Sequence, residues 1–305
     1  MKIFNKIAIE PKSISSWEQF RYVMEKLGYS KGLVLAKFPK AWERELIDGL
    51  DVSDIQKTRI VAKLQAYKTD RMMPSGLPYQ GDISWSDNLM SIIDTTDIDR
   101  AIFSENPNSV SSGREFITIE EADETYFQVP NDIQVLNSPI ELSQPAKLLL
   151  KISEVAVIVD PYFQIATSPE FIETLSNFIK LAIDGGKCRV FTVYIKVKQY
   201  PKGAESAIEN ALSSFLDVTP KLVVNFLYID DLNSAYPLHA RYFLTEKSGL
   251  RYDKGFQSTR RQEEPVNVDI SLIDTDLHSS LVERFINRNN DYTIEHEHKW
   301  VSCGE

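Results

Sequence analysis

Cysteine is nearly missing from this chain. Cys188 and Cys303 are the two in 305 residues, too few for a disulfide framework, and Cys188 lies in an apolar run where it reads as a small core residue. A reducing, cytoplasmic setting is therefore the expectation. No apolar run approaches the roughly 18 residues that span a bilayer, so no transmembrane segment is expected. The opening stretch, Met1-Lys-Ile-Phe-Asn-Lys-Ile-Ala-Ile-Glu10, lacks the apolar core of a secretory leader. There is no Walker motif, no Gly-x-Ser-x-Gly and no Cys/His nucleophile pair, which sets aside the sequence signatures of P-loop nucleotide hydrolysis and of acyl transfer. No cofactor is implied, and neither an internal repeat nor a low-complexity tract is visible.

What is present is an ordinary globular composition, 43% hydrophobic and 26% charged, long enough for one large domain or two smaller ones. The formal charge of −10 is unevenly placed. Between Gly81 and Leu142 stand 13 Asp/Glu against Arg100 and Arg114, a balance of −11, so the remainder is close to neutral at +1. An acidic chain of this kind argues against broad non-specific DNA binding, which needs clustered Lys/Arg. It leaves room for a small basic site, and Lys247, Arg251, Lys254, Arg260 and Arg261 fall close together. The acidic stretch 81–142 reads as a solvated surface, the alternative being a docking face for a basic protein partner.

The chain divides near residue 140. Residues 1–140 read as a mixed α/β domain and a partner or dimer surface. A strand is expected at Lys6–Glu10, then a helix from the capping-box-like Ser15-Ser16-Trp-Glu-Gln19 to a stop at Gly28. Gly32–Phe38 is a second apolar run. Pro39 opens a helix through Trp42 and Ile47, and Ser53 caps another to about Tyr67. Thr69–Gln80 is a loop, helices follow at Trp85–Ile93 and near Ile119–Asp123, and Asn106–Gly113 is a turn-rich loop. Trp17, Trp42 and Trp85 at helical spacing read as core. Residues 141–305 alternate more regularly. Strands are expected at Val155–Pro161, Cys188–Val197, Leu222–Ile229, Leu238–Thr245 and Val268–Ile273. Helices are expected from Ser168-Pro169 to Gly185-Gly186, over Ala204–Leu216 and over Leu277–Ile286. This alternation implies helices packed on a largely parallel sheet.

One segment stands apart: Pro237-Leu-His239-Ala-Arg241-Tyr-Phe-Leu-Thr-Glu246. In an extended strand residues i and i+2 share a face, so His239 and Arg241 project together. An imidazole beside a guanidinium suits holding or attacking a phosphodiester. Asp160 ends an apolar strand, where ligands gather in open α/β sheets, although an acid there also commonly caps a turn. His296-Glu-His298 could share a metal, but no third ligand is evident by spacing and His278 lies on a separate helix, so no metal site is assigned. Asp230-Asp231 reads as a turn.

His239-x-Arg241-x4-Glu246 resembles the His-x-Lys-x4-Asp signature of the phospholipase D superfamily, and Ile158-Val-Asp160-Pro161-Tyr162-Phe163 resembles a strand end common there. Leu238-His239-Ala-Arg241-Tyr with Gly255-Phe256 is similar to bacterial relatives and to the C-terminal domain of the MIT-domain-containing protein. The resemblance covers roughly Glu141–Ile286. It implies a phospholipase D-like sheet flanked by helices, with His239 as nucleophile, Arg241 at the place of the phosphate-binding lysine and Glu246 at that of the aspartate. Asp160, Lys254 and Arg260 would contact substrate. The family's Gly-Ser-x-Asn is represented by Gly255-Phe256-Gln257-Ser258, and a single motif occurs. An active site would therefore need two chains meeting at a two-fold axis. The implied activities are a homodimeric, metal-independent nuclease of a bacterial defence or DNA-processing system, or an inactive adaptor for anionic lipid, nucleic acid or protein.

Overall fold

The computed structural model describes residues 2–105, 115–165, 168–217, 221–259, 264 and 266–302. The chain forms two compact α/β units, Lys2–Asn131 and the remainder from Asp132 to Glu305.

In the first unit five strands, β1 (Asn5–Ile9), β2 (Leu33–Lys37), β3 (Met72–Pro74), β4 (Arg100–Phe103) and β5 (Glu115–Thr118), form a wholly parallel sheet in the order β3-β2-β1-β4-β5. Helices α1 (Trp17–Lys26), α2 (Trp42–Gly49), α3 (Asp54–Tyr67) and α4 (Trp85–Ile92) accompany it. Buried clusters form around Ile7, Leu35, Phe20 and Trp42, and around Ala8, Phe38, Trp85 and Phe103. The alternate residues of β1 and β2 thus feed opposite clusters, as strands covered on both faces do. Ser53 and Gln56 close a complete capping box at α3. At α1 Ser16 caps Gln19, while the Gln19 amide oxygen accepts from the backbone N–H of Ser15. Trp42 and Trp85 are core residues whose indole N–H groups donate to the carbonyls of Ile9 (2.6 Å) and Phe38 (2.7 Å).

Three expectations change here. Met72–Pro74, within the stretch expected as a loop, forms strand β3 by pairing its backbone with β2. Pro39 precedes α2 rather than opening it, since the helix starts at Trp42. Residues 119–123 form turns, not a helix. There the Glu121 carboxylate accepts from Thr118 N–H and hydroxyl, and Asp123 accepts from Tyr126 N–H and the Thr125 hydroxyl. Such local side-chain bonds compete with helix formation. The expected loop at 106–113 lies outside the described residues. In the acidic stretch, Asp97, Asp99, Glu115 and Glu124 pair with Lys6, Lys2, Arg100 and Lys26 of the same unit.

The second unit is built on eight strands: β6 (Asp132–Leu136), β7 (Val155–Val159), β8 (Val190–Lys196), β9 (Val223–Asp230), β10 (Arg241–Thr245), β11 (Gly249–Tyr252), β12 (Asn267–Leu272) and β13 (Thr293–Val301). Their order is β13-β9-β8-β7-β10-β11-β12-β6. The strand at 132–136 therefore belongs to this sheet, not to the N-terminal unit. β7, β8 and β9 are parallel, but every other pairing is antiparallel. The expected largely parallel sheet is thus a mixed one. Helical crossovers of useful length occur between β7, β8 and β9, whereas three residues join β10 to β11, too few for a parallel connection.

Helices α5 (Pro139–Ser143), α6 (Lys147–Ile152), α7 (Pro169–Gly185), α8 (Ala204–Leu212) and α9 (Thr275–Leu281) flank the sheet, and a π-helical turn, Val282–Ile286, extends α9. α7 stops at Gly186, whose φ of 71° is left-handed. On one face Phe178 of α7 packs between Phe243 (5.3 Å) and Phe256 (5.6 Å). On the other, Val157, Val159, Tyr194 and Leu244 meet Leu281 and Phe285. Cys188 is buried, and burial pushes its thiol up to about 12; Cys303 lies outside the described residues. No helix among them is long and apolar enough to cross a membrane.

Because Phe178 joins α7 to both β10 and the segment after β11, Phe178→Ala is expected to cost about 3–5 kcal/mol. Urea denaturation followed by circular dichroism measures this. A loss below about 1 kcal/mol would mean that the ring is not what holds the layers together.

Candidate functional site

The motif residues spread over both ends of β10. His239 precedes the strand, across a bend at Ala240, so the shared strand face expected of it and Arg241 is not formed. Arg241 opens β10 at the end where β7, β8 and β9 terminate, because β10 runs antiparallel to β7 with Tyr242 opposite Val159. Asp160, one residue beyond Val159, is thereby brought level with Arg241. Glu246 lies at the other end, about 16 Å from Arg241 by strand rise. Its carboxylate accepts from the backbone N–H groups of Glu154 (2.9 Å) and Val155 (3.3 Å). Glu246 therefore ties down the start of β7 and does not meet His239.

Asp160 is 1% exposed. Its Oδ1 accepts from Tyr162 N–H at 2.9 Å and its Oδ2 from Phe256 N–H at 3.2 Å. Burial raises its carboxyl above the usual range; these two N–H donors and the charge of Arg241 pull the other way without overcoming it. Gly255 sits between the two side chains at a φ of +81°. A Cβ there would stand 2.7 Å from Asp160 Oδ2 and 3.1 Å from Arg241 Nε. Glycine is required on both counts.

Arg241 is half-buried. Its Nη1 donates to the Asp253 carbonyl at 3.1 Å, while its buried Nε has no hydrogen-bond partner. The guanidinium lies 5.2 Å from the Tyr162 ring, and the Lys198 ammonium lies 5.8 Å from the same ring. Tyr162 is 41% exposed. Two cations therefore converge on one accessible aromatic ring, a disposition that favours an incoming anion. Lys198 was not singled out in the sequence, since it follows β8, far from the motif in the chain. Lys196, at the end of β8, pairs with Asp231 at 2.9 Å.

Asp231 also accepts from Leu238 N–H. Burial opposes its ionisation, but Lys196 and the Leu238 N–H outweigh that and hold the carboxyl below its usual range. Asp231 is therefore more than the turn residue expected: it pins the approach to His239. Leu238 is buried in the core, so His239 emerges from a fixed point. Its side chain is exposed, with no hydrogen-bond partner among the described residues.

The remaining expected residues are placed differently. Lys254 is exposed, and its Nζ donates to the Asn267 carbonyl at 2.8 Å. Arg260 and Arg261 lie outside the described residues. Gln257 donates to the Ser168 hydroxyl at 3.3 Å and Ser258 to the Glu170 carbonyl at 3.3 Å, so both are engaged with the start of α7. His296 stacks on Tyr200 at 3.9 Å, and His298 meets Glu209 at 3.2 Å. His278 is buried on α9 and its Nε2–H donates to the Thr245 carbonyl at 2.9 Å; burial lowers its pKa.

No protein-family model matches the chain, and no characterised protein matches it in sequence. Among solved structures, it is similar to a phospholipase D family member, Nuc from Salmonella typhimurium, at 9% identity over 54% of this chain and 98% of that one, with a TM-score of 0.33. It is similar to TrmBL2, an archaeal chromatin protein, at 12% identity over 90% and 81%, with a TM-score of 0.29. The polyphosphate kinase of Porphyromonas gingivalis gives 12% identity over 74% and 35%, with a TM-score of 0.32. Similarity of that degree carries no argument about chemistry, which rests on the side chains.

Gly255→Ala is expected to destabilise the fold by about 1–3 kcal/mol through its positive φ and the crowding of Asp160; denaturant titration checks this. Carboxyl NMR should find Asp160 titrating above the ordinary 3.8. In Arg241→Met the midpoint should rise further, because the carboxylate loses a cation that favours it. A midpoint that falls in the variant would mean that Arg241 does not act on Asp160. With the folded-state pKa raised, the group's contribution to stability is full below 3.8 and is lost as pH rises through the folded value.

Proposed function

We propose that the second unit is a phospholipase D-like domain that handles phosphodiesters at the end of its sheet, with Arg241 and Lys198 holding the phosphate and His239 presented to phosphorus. The observation that carries this reading is the convergence of Arg241 and Lys198 on the exposed Tyr162 ring, beside the exit point of His239. Arg241 is held by Asp253 and by the packing against Gly255, so its charge is pre-positioned. An unpartnered Nε and an exposed ring beside it are groups that a phosphate oxygen and a base could engage.

As an enzyme, two chains would contribute one His239 each. One imidazole nitrogen attacks phosphorus and the P–O bond to the leaving alcohol breaks. The partner's imidazolium protonates that alkoxide. Water, deprotonated by the same partner imidazole, then cleaves the P–N bond and releases the phosphomonoester. No metal takes part in these steps. A nuclease of a defence or DNA-processing system is the finer form of this reading. Glu246 serves it indirectly, by fixing the strand from which the site is built.

A second reading, a catalytically silent binding module, is favoured by one observation: His239 has no orienting partner among the described residues. Nucleophile and base pairs normally hold one another in place.

The test is cleavage of single- and double-stranded nucleic acid and of a generic diester in EDTA, comparing wild type with His239→Ala. Cleavage reduced by ~10³-fold or more in the variant, with unchanged folding, is expected for the enzyme. Equal cleavage in both would remove His239 from the chemistry. Absence of cleavage, with oligonucleotide binding that weakens ~10-fold or more in Arg241→Ala, would instead establish the binding module.

A further inference from the structure

The first unit carries a cleft of about 620 Å³ beyond the carboxyl ends of β2 and β3. Lys37 ends β2, Lys40 follows it, Glu43 and Arg44 come from the first turn of α2, and Lys68 from the end of α3. The charge of this cleft is opposite to that of the chain as a whole. Glu43 accepts from Lys37 at 2.7 Å and lies 3.8 Å from Lys68, so one carboxylate serves two ammonium groups. Lys40 and Arg44 are both exposed and make no ion pair among the described residues. Four cations against one carboxylate leave the cleft net positive.

The cleft is also more than a charge patch. Ala41, Pro74 and Leu77 give it an apolar lining beside the cations. Its volume falls within the roughly 300–1,000 Å³ of small-molecule sites. It lies at the carboxyl end of the parallel sheet, the end at which such sheets bind ligands, but beside β2 and β3 rather than at the β1/β4 switch point where the strand order reverses. A bare inorganic anion would leave the apolar lining wet, and a purely apolar ligand would leave Lys40 and Arg44 unanswered.

We propose that this cleft binds a small organic phosphate of nucleotide size, with its phosphates on Lys40 and Arg44 and its ring system against Ala41, Pro74 and Leu77. The site is separate from the one assigned to the second unit and does not depend on it.

The experiment is isothermal titration of the full chain at low salt with ADP, adenosine, inorganic phosphate and a short oligothymidylate. Saturable one-to-one binding of ADP is expected, with adenosine and inorganic phosphate each ~10-fold or more weaker. Lys40→Ala/Arg44→Ala, both at exposed positions, should lose ~10-fold or more of ADP affinity with an unchanged melting temperature. Leu77→Ser should weaken ADP but not inorganic phosphate. Any of four outcomes would overturn the proposal: no saturable ADP binding; adenosine equal to ADP; ADP affinity unchanged in the double variant but lost in Arg241→Ala, which places the ligand in the second unit; or binding of the oligothymidylate without ADP, which makes the cleft a nucleic-acid contact.

Discussion

A carboxylate taken out of water must be met by donors or charge, and Asp160 is the place where this chain takes that cost. The residue is 1% exposed at the end of a central strand, and its two oxygens are met from two directions. Tyr162 N–H fixes the turn that leaves β7, and Phe256 N–H fixes the segment that leaves β11. The same carboxyl sets the position of Gly255, and Gly255 in turn lets Arg241 come close. One buried acid therefore joins the turn that presents Tyr162, the backbone that holds Phe256 against Phe178, and the cation of the proposed phosphate site. The burial that raises its pKa and the packing that orients Arg241 are one arrangement.

From that anchor the site divides into a fixed part and a free part. Arg241 is fixed by Asp253 and Gly255, and the approach to His239 is fixed by Asp231 and the buried Leu238. The imidazole itself makes no hydrogen bond among the described residues. A phosphate arriving at Arg241 and Lys198 would find charge in place and, under the proposed function, an imidazole not yet aligned to act on it. That division is what a site completed by a second chain requires, since the partner would supply the missing orientation. It is also what a binding module derived from an enzyme would retain, because loss of alignment removes catalysis before it removes affinity.

The strands buried on both faces were legible. Val155–Val159, Val190–Lys196 and Val223–Asp230 are apolar runs because both faces are covered. The edges were not. β13 carries Thr-Ile-Glu-His-Glu-His-Lys along a mostly exposed face, and β6 alternates weakly. Edge strands bear charge, and what holds them is backbone pairing, which leaves no hydrophobic period to read. The turns at 119–123 were misread for a related reason: Thr118, Glu121 and Asp123 satisfy their own backbone. At the candidate site, Arg241 and Asp160 were legible from residue type and strand position, whereas His239, outside the strand expected to carry it, was legible from residue type and spacing alone. Lys198, Lys196 and Asp231 act through contacts between loops brought together by the sheet order, which no local pattern encodes. Glu246 matched a motif spacing, yet its function in the fold is to cap β7.

The net charge of −10 bears on what such sites can bind. Screening reduces the reach of exposed charge to about 8 Å at physiological ionic strength. Several acids of the 81–142 stretch are, moreover, already paired with lysines and arginines of their own unit. A phosphate within contact distance of Arg241 or Arg44 therefore feels mainly the local cations. A long duplex differs, because it carries charge beyond any one contact and meets the acidic surface with the rest of its length. Local cations on an anionic protein thus favour compact or flexible phosphates over rigid polyanions, and they favour binding that depends on a few well-placed side chains rather than on bulk attraction.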